Sequence, residues 1–169
     1  TGYHRSGISW DNTGLIENMV QESKNSLLKF KGFLVHDGQT YHAKSRDEVL
    51  QMHLDSKRKM NTLKGTWPEA LVSMGDTPSI SLANDFEGID EIRPGNFVFY
   101  DVMQHHLGVC QMEEIAVALA APVADVHFER EELVIHGGAV HLSKDFVLGA
   151  KGRKVFGLIA VLHGQKWEV

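Results

Sequence analysis

Apolar and polar positions along residues 11–101 alternate between two periods. Leu15, Ile16, Met19, Val20 and Leu27, with Ser23 among them, recur at helical spacing behind a capping Asp11, which predicts a helix over 12–29. Phe30–His36 (FKGFLVH) is short and apolar, bounded by Lys29 and Asp37-Gly38, and reads as a buried strand. A polar loop over 37–44 carries Gln39, Tyr41 and His42. Ser45, with Glu48 three residues on, then has the form of a capping box. It opens a helix to about Lys64 with Val49, Leu50, Leu54, Met60 and Leu63 inward and Lys57, Arg58 and Lys59 on the solvated face. Gly65-Thr66-Trp67-Pro68 ends it. Ala70–Met74 and Phe97–Tyr100 are the next strand-like runs, and Thr1–Ile8 reads as the tail of a strand entering a loop. Strands alternating with helices at this spacing predict parallel βαβ units.

The pattern changes after residue 101. Runs at 115–128, 132–136, 139–142 and 155–162 are strand-like and rich in β-branched residues, separated by Gly137-Gly138, Ser143-Lys144-Asp145 and the turn over 149–153. An α/β region followed by a mostly antiparallel β region is expected, with the boundary between 104 and 108. The expected division is therefore 1–107 and 108–169.

Composition narrows the class. With 169 residues, 43% hydrophobic and 23% charged, the chain is globular rather than disordered. A net charge of −5 argues against a nucleic-acid face. Cys110 is the single cysteine, so neither an internal disulfide nor a cysteine zinc cluster can form, and a buried thiol is expected. No run approaches the roughly 18 apolar residues of a membrane helix, and a cytoplasmic setting is expected. The chain opens inside an element, without Met, and is expected to be an internal fragment. The histidines, His105 and His106 included, show no metal-ligand spacing.

Two glycine turns carry the candidate chemistry. Gly75-Asp76-Thr77-Pro78-Ser79 follows one strand-like run, and Pro94-Gly95-Asn96 precedes another. Glycine allows close backbone approach, and adjacent N–H groups with the Thr77 and Ser79 hydroxyls suit an oxyanion such as phosphate. Ordinary βα turns have the same composition. Parallel α/β sheets bind ligands at the carboxyl ends of their strands, where Arg5, His36, Thr77, Arg93 and Gly95 fall. Arg5 also fits a surface ion pair and His36 a satisfied core histidine. On residues alone, an α/β module that binds a phosphate ligand is one reading.

Taken in order, TGYHRSG, GFLVHDGQTYHA, VSMGDTPS, EIRPGNFVFYD and IHGGAVHLSKD resemble the D-threonine aldolase and D-serine dehydratase-like group of fold type III pyridoxal-phosphate enzymes. The resemblance spans nearly the whole chain. It implies an α/β fold: about four strands of an alanine-racemase-like (β/α)8 barrel, followed by part of a mostly antiparallel β-domain. It implies pyridoxal 5′-phosphate as cofactor. Arg5 matches the arginine reaching the cofactor ring, and His36 or Tyr41 the residue beside it. Gly75, Asp76, Thr77 and Ser79 lie in the matched phosphate loop, and Gly95 and Asn96 in a second phosphate-contacting turn. Arg93 matches the pyridine-nitrogen arginine of alanine racemase.

The group's Schiff-base lysine lies upstream of TGYHRSG, and its metal ligands lie beyond a strand like Val155–Leu162, so none of them has a counterpart here. The parent is expected to be a lyase acting on β-hydroxy D-amino acids, by aldol cleavage or dehydration, with a divalent metal (Zn or Mn) possible. This chain alone is expected to be inactive. An amino-acid racemase and a non-catalytic pyridoxal-phosphate carrier are the alternatives; the β region weighs against the carrier. The resemblance also allows a homodimer, with a small amino acid as substrate. An incomplete barrel would expose its interior face, for which Phe33, Val35, Val72 and Val98 are the candidates.

Overall fold

The computed structural model describes residues 5–138, 140–164 and 166–169. The chain divides into two compact units. One runs to Phe97 and takes in Leu107–Val109; the other holds Val98–His106 and Cys110–Val169.

The first unit is built from α1 (Thr13–Lys24), β1 (Gly32–His36), α2 (Arg46–Thr66), β2 (Leu71–Gly75), α3 (Thr77–Leu82) and β3 (Glu91–Ile92). The strands form a parallel sheet in the order β1-β2-β3. Residues 1–4 of the expected first strand lie outside the described residues, and Arg5–Gly7 are bends. The cap of α1 is Asn12, whose side chain accepts the Leu15 N–H, and the helix stops at Lys24 rather than 29. There the Asn25 N–H turns back to Glu22 and Ser23, and the Ser26 hydroxyl takes the Leu28 N–H. Leu27 and Leu28 are left exposed.

Ser45 caps α2 by accepting the Glu48 N–H at 3.2 Å, while the Glu48 carboxylate reaches the Lys44 N–H. Along α2 the inward face differs from the expected one at two places. Leu54 is exposed and His53 is buried in its stead, packed edge-on against Phe86. Lys57 is buried rather than solvated, its ammonium paired with Asp85. Both ring nitrogens of His53 are buried without a hydrogen-bond partner among the described residues, a desolvation cost with nothing gained in return. His53→Leu is expected to raise the unfolding free energy by about 1 kcal/mol in a urea titration; a loss would show the imidazole to be paired.

The core of this unit lies between one face of the sheet and helices α1 to α3. It holds Ile16, Val20, Val35, Met60, Leu63, Val72, Met74 and Ile80, with Phe30, Phe33 and Trp67 in edge-on aromatic contacts beside it. Val35 and Val72 therefore face the helices, contrary to the expected open face. Alternation along the strands turns Leu34, 70% exposed, and Leu71, 51% exposed, to the other side.

The third strand also differs from expectation. Phe97–Tyr100 is not a strand: Asn96–Val98 is a 3-10 turn and Tyr100 has φ of 50°. The pairing with β2 is made earlier, by Glu91 and Ile92, and finishes with the Arg93 N–H on Met74 O. Pro94 has no N–H to continue the ladder, so the strand ends before the turn instead of following it.

The second unit contains α4 (Val102–His106) and three antiparallel hairpins: β4 (Val123–His127) with β5 (Glu132–Ile135), β6 (Val147–Leu148) with β7 (Lys154–Val155), and β8 (Val161–His163) with β9 (Lys166–Glu168). Of the run 115–128 only β4 is strand; Pro122 stands just before it and its carbonyl accepts the His136 N–H. In 139–142, Ala139 lies outside the described residues, and the rest is a turn closed by the His141 and Leu142 N–H groups on Gly138 O. Cys110 is buried here. Burial pushes its thiol up to about 11, and the carboxylates of Glu114 and Asp101 add to that. Iodoacetamide at neutral pH should therefore label Cys110 only as fast as the unit opens, and labelling as fast as that of a free thiol would contradict this burial.

No described helix is long and apolar enough to cross a membrane.

Candidate functional site

Parallel pairing sets His36 opposite Gly75, so β1 and β2 end at one edge of the sheet, and the site is built from the turns that leave it. After β1 the Asp37 N–H donates to Gly75 O, and the chain enters a 3-10 turn over Gly38–His42. This brings the Tyr41 hydroxyl to the Thr77 N–H, which donates to it at 3.3 Å.

After β2, Asp76 caps α3. Its carboxyl group accepts the Ser79 N–H at 2.7 Å and the Ser79 hydroxyl at 2.6 Å. The second turn joins the first through the Asn96 N–H, which donates to the Thr77 hydroxyl oxygen at 2.9 Å. Tyr41, Asp76, Thr77, Ser79 and Asn96 thus form one connected cluster.

Arg93 closes the sheet side of this cluster. Its Nε donates to the Ser73 hydroxyl at 2.6 Å, and Nη2 donates to Val35 O at 2.9 Å and Ser73 O at 3.1 Å. Glu91 lies 3.4 Å from Nε. The guanidinium therefore spans the carboxyl ends of β1 and β2 and lies directly over Gly75. A Cβ at Gly75 would stand 2.9 Å from Arg93 Nη1 and 3.0 Å from Arg93 O. Gly75→Ala is expected to cost about 1–3 kcal/mol of unfolding free energy by overpacking. Gly95 has open space where a Cβ would stand, and the same change there should cost less.

Arg5 and His36 line a cavity of about 930 Å3 between α1 and β1, whose other walls include Trp10, Met19, Phe30 and Leu34. His36, at the end of β1, is the residue the cavity and the edge have in common.

Two buried polar residues beside the cluster, Thr40 and Asp37, had no distinguishing signal in the sequence. The Thr40 hydroxyl oxygen lies 2.8 Å from Asp37 O and 3.0 Å from Asp76 Oδ1. Asp37 Oδ1 accepts from the Ser56 hydroxyl at 2.7 Å and from Gln39 at 3.0 Å, while its Oδ2 is buried with no partner among the described residues. Burial pushes the Asp76 carboxyl above the usual carboxylate range; Asp37 adds to this, and the hydrogen bonds from Ser79 and Thr40 oppose it. No group of three or more metal-ligating side chains occurs among the described residues.

The fold is that of the alanine racemase-like proteins. One of that description from Idiomarina loihiensis superposes with a TM-score of 0.70 at 26% identity, over 85% of this chain and 39% of its own. The D-threo-3-hydroxyaspartate dehydratase of Delftia sp. HT23 superposes with a TM-score of 0.76 at 22% identity, over 90% of this chain and 45% of its own. In sequence the chain is 32% identical over 159 residues to the D-serine dehydratase of Dictyostelium discoideum, and 28% identical over 151 residues to the Delftia enzyme. These alignments take in 85% and 86% of this chain and 40% of each relative. Its homologues are thus D-amino-acid dehydratases, and the chain spans well under half the length of each. No family model matches.

Proposed function

We propose that this chain carries the phosphate-binding part of a pyridoxal 5′-phosphate-dependent lyase that dehydrates a β-hydroxy D-amino acid. The observation that carries the reading is the bond from Asn96 N–H to Thr77 Oγ1, which joins two glycine turns at the carboxyl edge of a parallel sheet. Their donors are backbone N–H groups and a hydroxyl, beside a guanidinium, and this set suits a phosphate dianion. The dehydratase relatives favour elimination over aldol cleavage or racemisation.

In this reading the turns of Gly75, Thr77, Gly95 and Asn96 surround the phosphate, with the Thr77 hydroxyl as its side-chain donor; without ligand the Thr77 and Asn96 N–H groups are given to Tyr41 and to Thr77 Oγ1. The hydroxyl and N–H of Ser79 are spent on Asp76, so Ser79 acts by shaping the turn. Tyr41 stands against the same turn, its hydroxyl accepting the Thr77 N–H, and would lie beside the cofactor ring in this reading. Arg93 fixes the ends of β1 and β2, while Arg5 and His36 form the wall toward α1. The bound cofactor supplies an electron sink for negative charge at the substrate α-carbon. A metal would polarise the departing hydroxyl; the described residues hold no group of three metal-ligating side chains that could bind it. In support of a metal in this group, a cysteine-to-alanine variant of the Delftia enzyme is described as metal-free.

Titration with pyridoxal 5′-phosphate and with pyridoxal, followed by absorbance, tests this. The wild-type chain should prefer the phosphorylated ligand, and Thr77→Val, which removes the oxygen joining the turns, should lower its affinity about tenfold with little effect on pyridoxal. Equal binding of the two ligands by the wild type would refute the phosphate assignment.

A further inference from the structure

We propose that the Tyr41 hydroxyl is a placeholder for a phosphate oxygen: without ligand it holds the Thr77 N–H, and an arriving phosphate takes that N–H while the Tyr41 side chain swings aside. The inference rests on the proposed function and names what the same site exchanges when its ligand arrives. It starts from a conflict within the site. Thr77 stands at the centre of the two turns, yet it is 0% exposed. Its N–H donates to Tyr41 Oη at 3.3 Å, and its Oγ1 accepts the Asn96 N–H at 2.9 Å. A ligand oxygen that is to take the Thr77 N–H must therefore stand where Tyr41 Oη now does.

Of the two bonds, the one to Tyr41 is built to open. At 3.3 Å it is longer than an ordinary N–H···O bond, whereas the Asn96 bond is of normal length. It is also the one hydrogen bond of the Tyr41 side chain among the described residues. The turn that carries Tyr41 is fixed without it. The Thr40 N–H donates to Asp37 O at 3.0 Å and the Ala43 N–H to Thr40 O at 3.2 Å. The Thr40 hydroxyl, between Asp37 O at 2.8 Å and Asp76 Oδ1 at 3.0 Å, pins the same turn to the Gly75–Ser79 turn. Tyr41 can thus leave Thr77 by rotating about its own side-chain bonds while the backbone stays in place, and as a half-buried residue it is not locked in the core. The exchange is favourable, because a phosphate dianion accepts charge-assisted bonds about twice as strong as those a phenol oxygen accepts. Once displaced, the Tyr41 ring remains at the edge of the site, beside the ligand.

Tyr41→Phe, which removes the hydroxyl and keeps the ring, gives a test with a sign. In the unliganded variant the Thr77 N–H has lost its acceptor, so no bond is given up when the phosphate arrives. Pyridoxal 5′-phosphate affinity, followed by absorbance, should rise about fivefold over wild type. A fall in affinity would make the hydroxyl a direct ligand of the phosphate and overturn the proposal, and an unchanged affinity would overturn it as well. Hydrogen exchange at the Thr77 N–H supplies a reading without ligand: it should be about fivefold faster in Tyr41→Phe than in wild type, and equal rates would show that the hydroxyl does not hold this group. The two levels fail differently. If the wild type binds pyridoxal 5′-phosphate and the variant binds it no better, this inference fails and the proposed function stands; if neither binds it, both fail.

Discussion

Gly32→Ala is expected to leave the chain without a stable first unit. A Cβ built on Gly32 would stand 1.9 Å from Leu71 O and 2.5 Å from Leu71 N. These are backbone atoms of the neighbouring strand, and Gly32 pairs with Leu71 at the start of the β1–β2 ladder, where the Leu71 N–H also donates to Lys31 O. No side chain can rotate to make room, so the strands must separate. The cost should exceed about 4 kcal/mol, the range of severe lesions. That approaches the whole stability of a domain, about 5–15 kcal/mol. Gly65→Ala is the control: it lies within α2 with open space around a Cβ, and should stabilise the helix by about 0.5–1 kcal/mol. Urea unfolding followed by circular dichroism compares the two. A Gly32→Ala protein as stable as wild type would contradict the described close approach of the strands.

Met74→Ala should have the next largest effect. Met74 is fully buried in the central strand, and its side chain belongs to the core against the helices. Truncation removes buried surface and leaves a cavity, a loss of about 2–5 kcal/mol. Leu71→Ala in the same strand should cost less than about 1 kcal/mol, because Leu71 is half exposed on the opposite face. A larger loss at Leu71 than at Met74 would reverse the assignment of the two faces.

That assignment shows how far the residues alone could be read. The apolar runs around β1 and β2 and the cap at Ser45 carry strong local signals, and these elements form near where the pattern places them. Which side of the strand meets the helices is a matter of parity. Phe33, Leu34 and Val35 are all apolar, so composition does not decide it, and Val35 and Val72 turn toward the helices. The strand at Glu91–Ile92 is too short for a period-two signal, whereas Phe97–Tyr100 is apolar and aromatic and reads as one. Only the missing N–H of Pro94 tells that pairing ends before it. The two glycine turns were legible as turns, but their joining at Thr77 is a tertiary hydrogen bond between residues 19 apart. Thr40 was not legible at all, since its buried position depends on Asp76, 36 residues away. The likeness to D-amino-acid dehydratases was legible because several motifs occur in order, and the comparisons agree with it.

The central claim is that the Gly75–Ser79 and Pro94–Asn96 turns together hold the phosphate of pyridoxal 5′-phosphate. The most direct measurement is an amide proton–nitrogen NMR titration of the chain with this ligand, with pyridoxal as the control. The account predicts that the amides of Gly75, Thr77, Gly95 and Asn96 shift together and saturate at one ligand concentration, and that pyridoxal leaves them in place. Shifts confined to other residues, or the same shifts with pyridoxal, would contradict it.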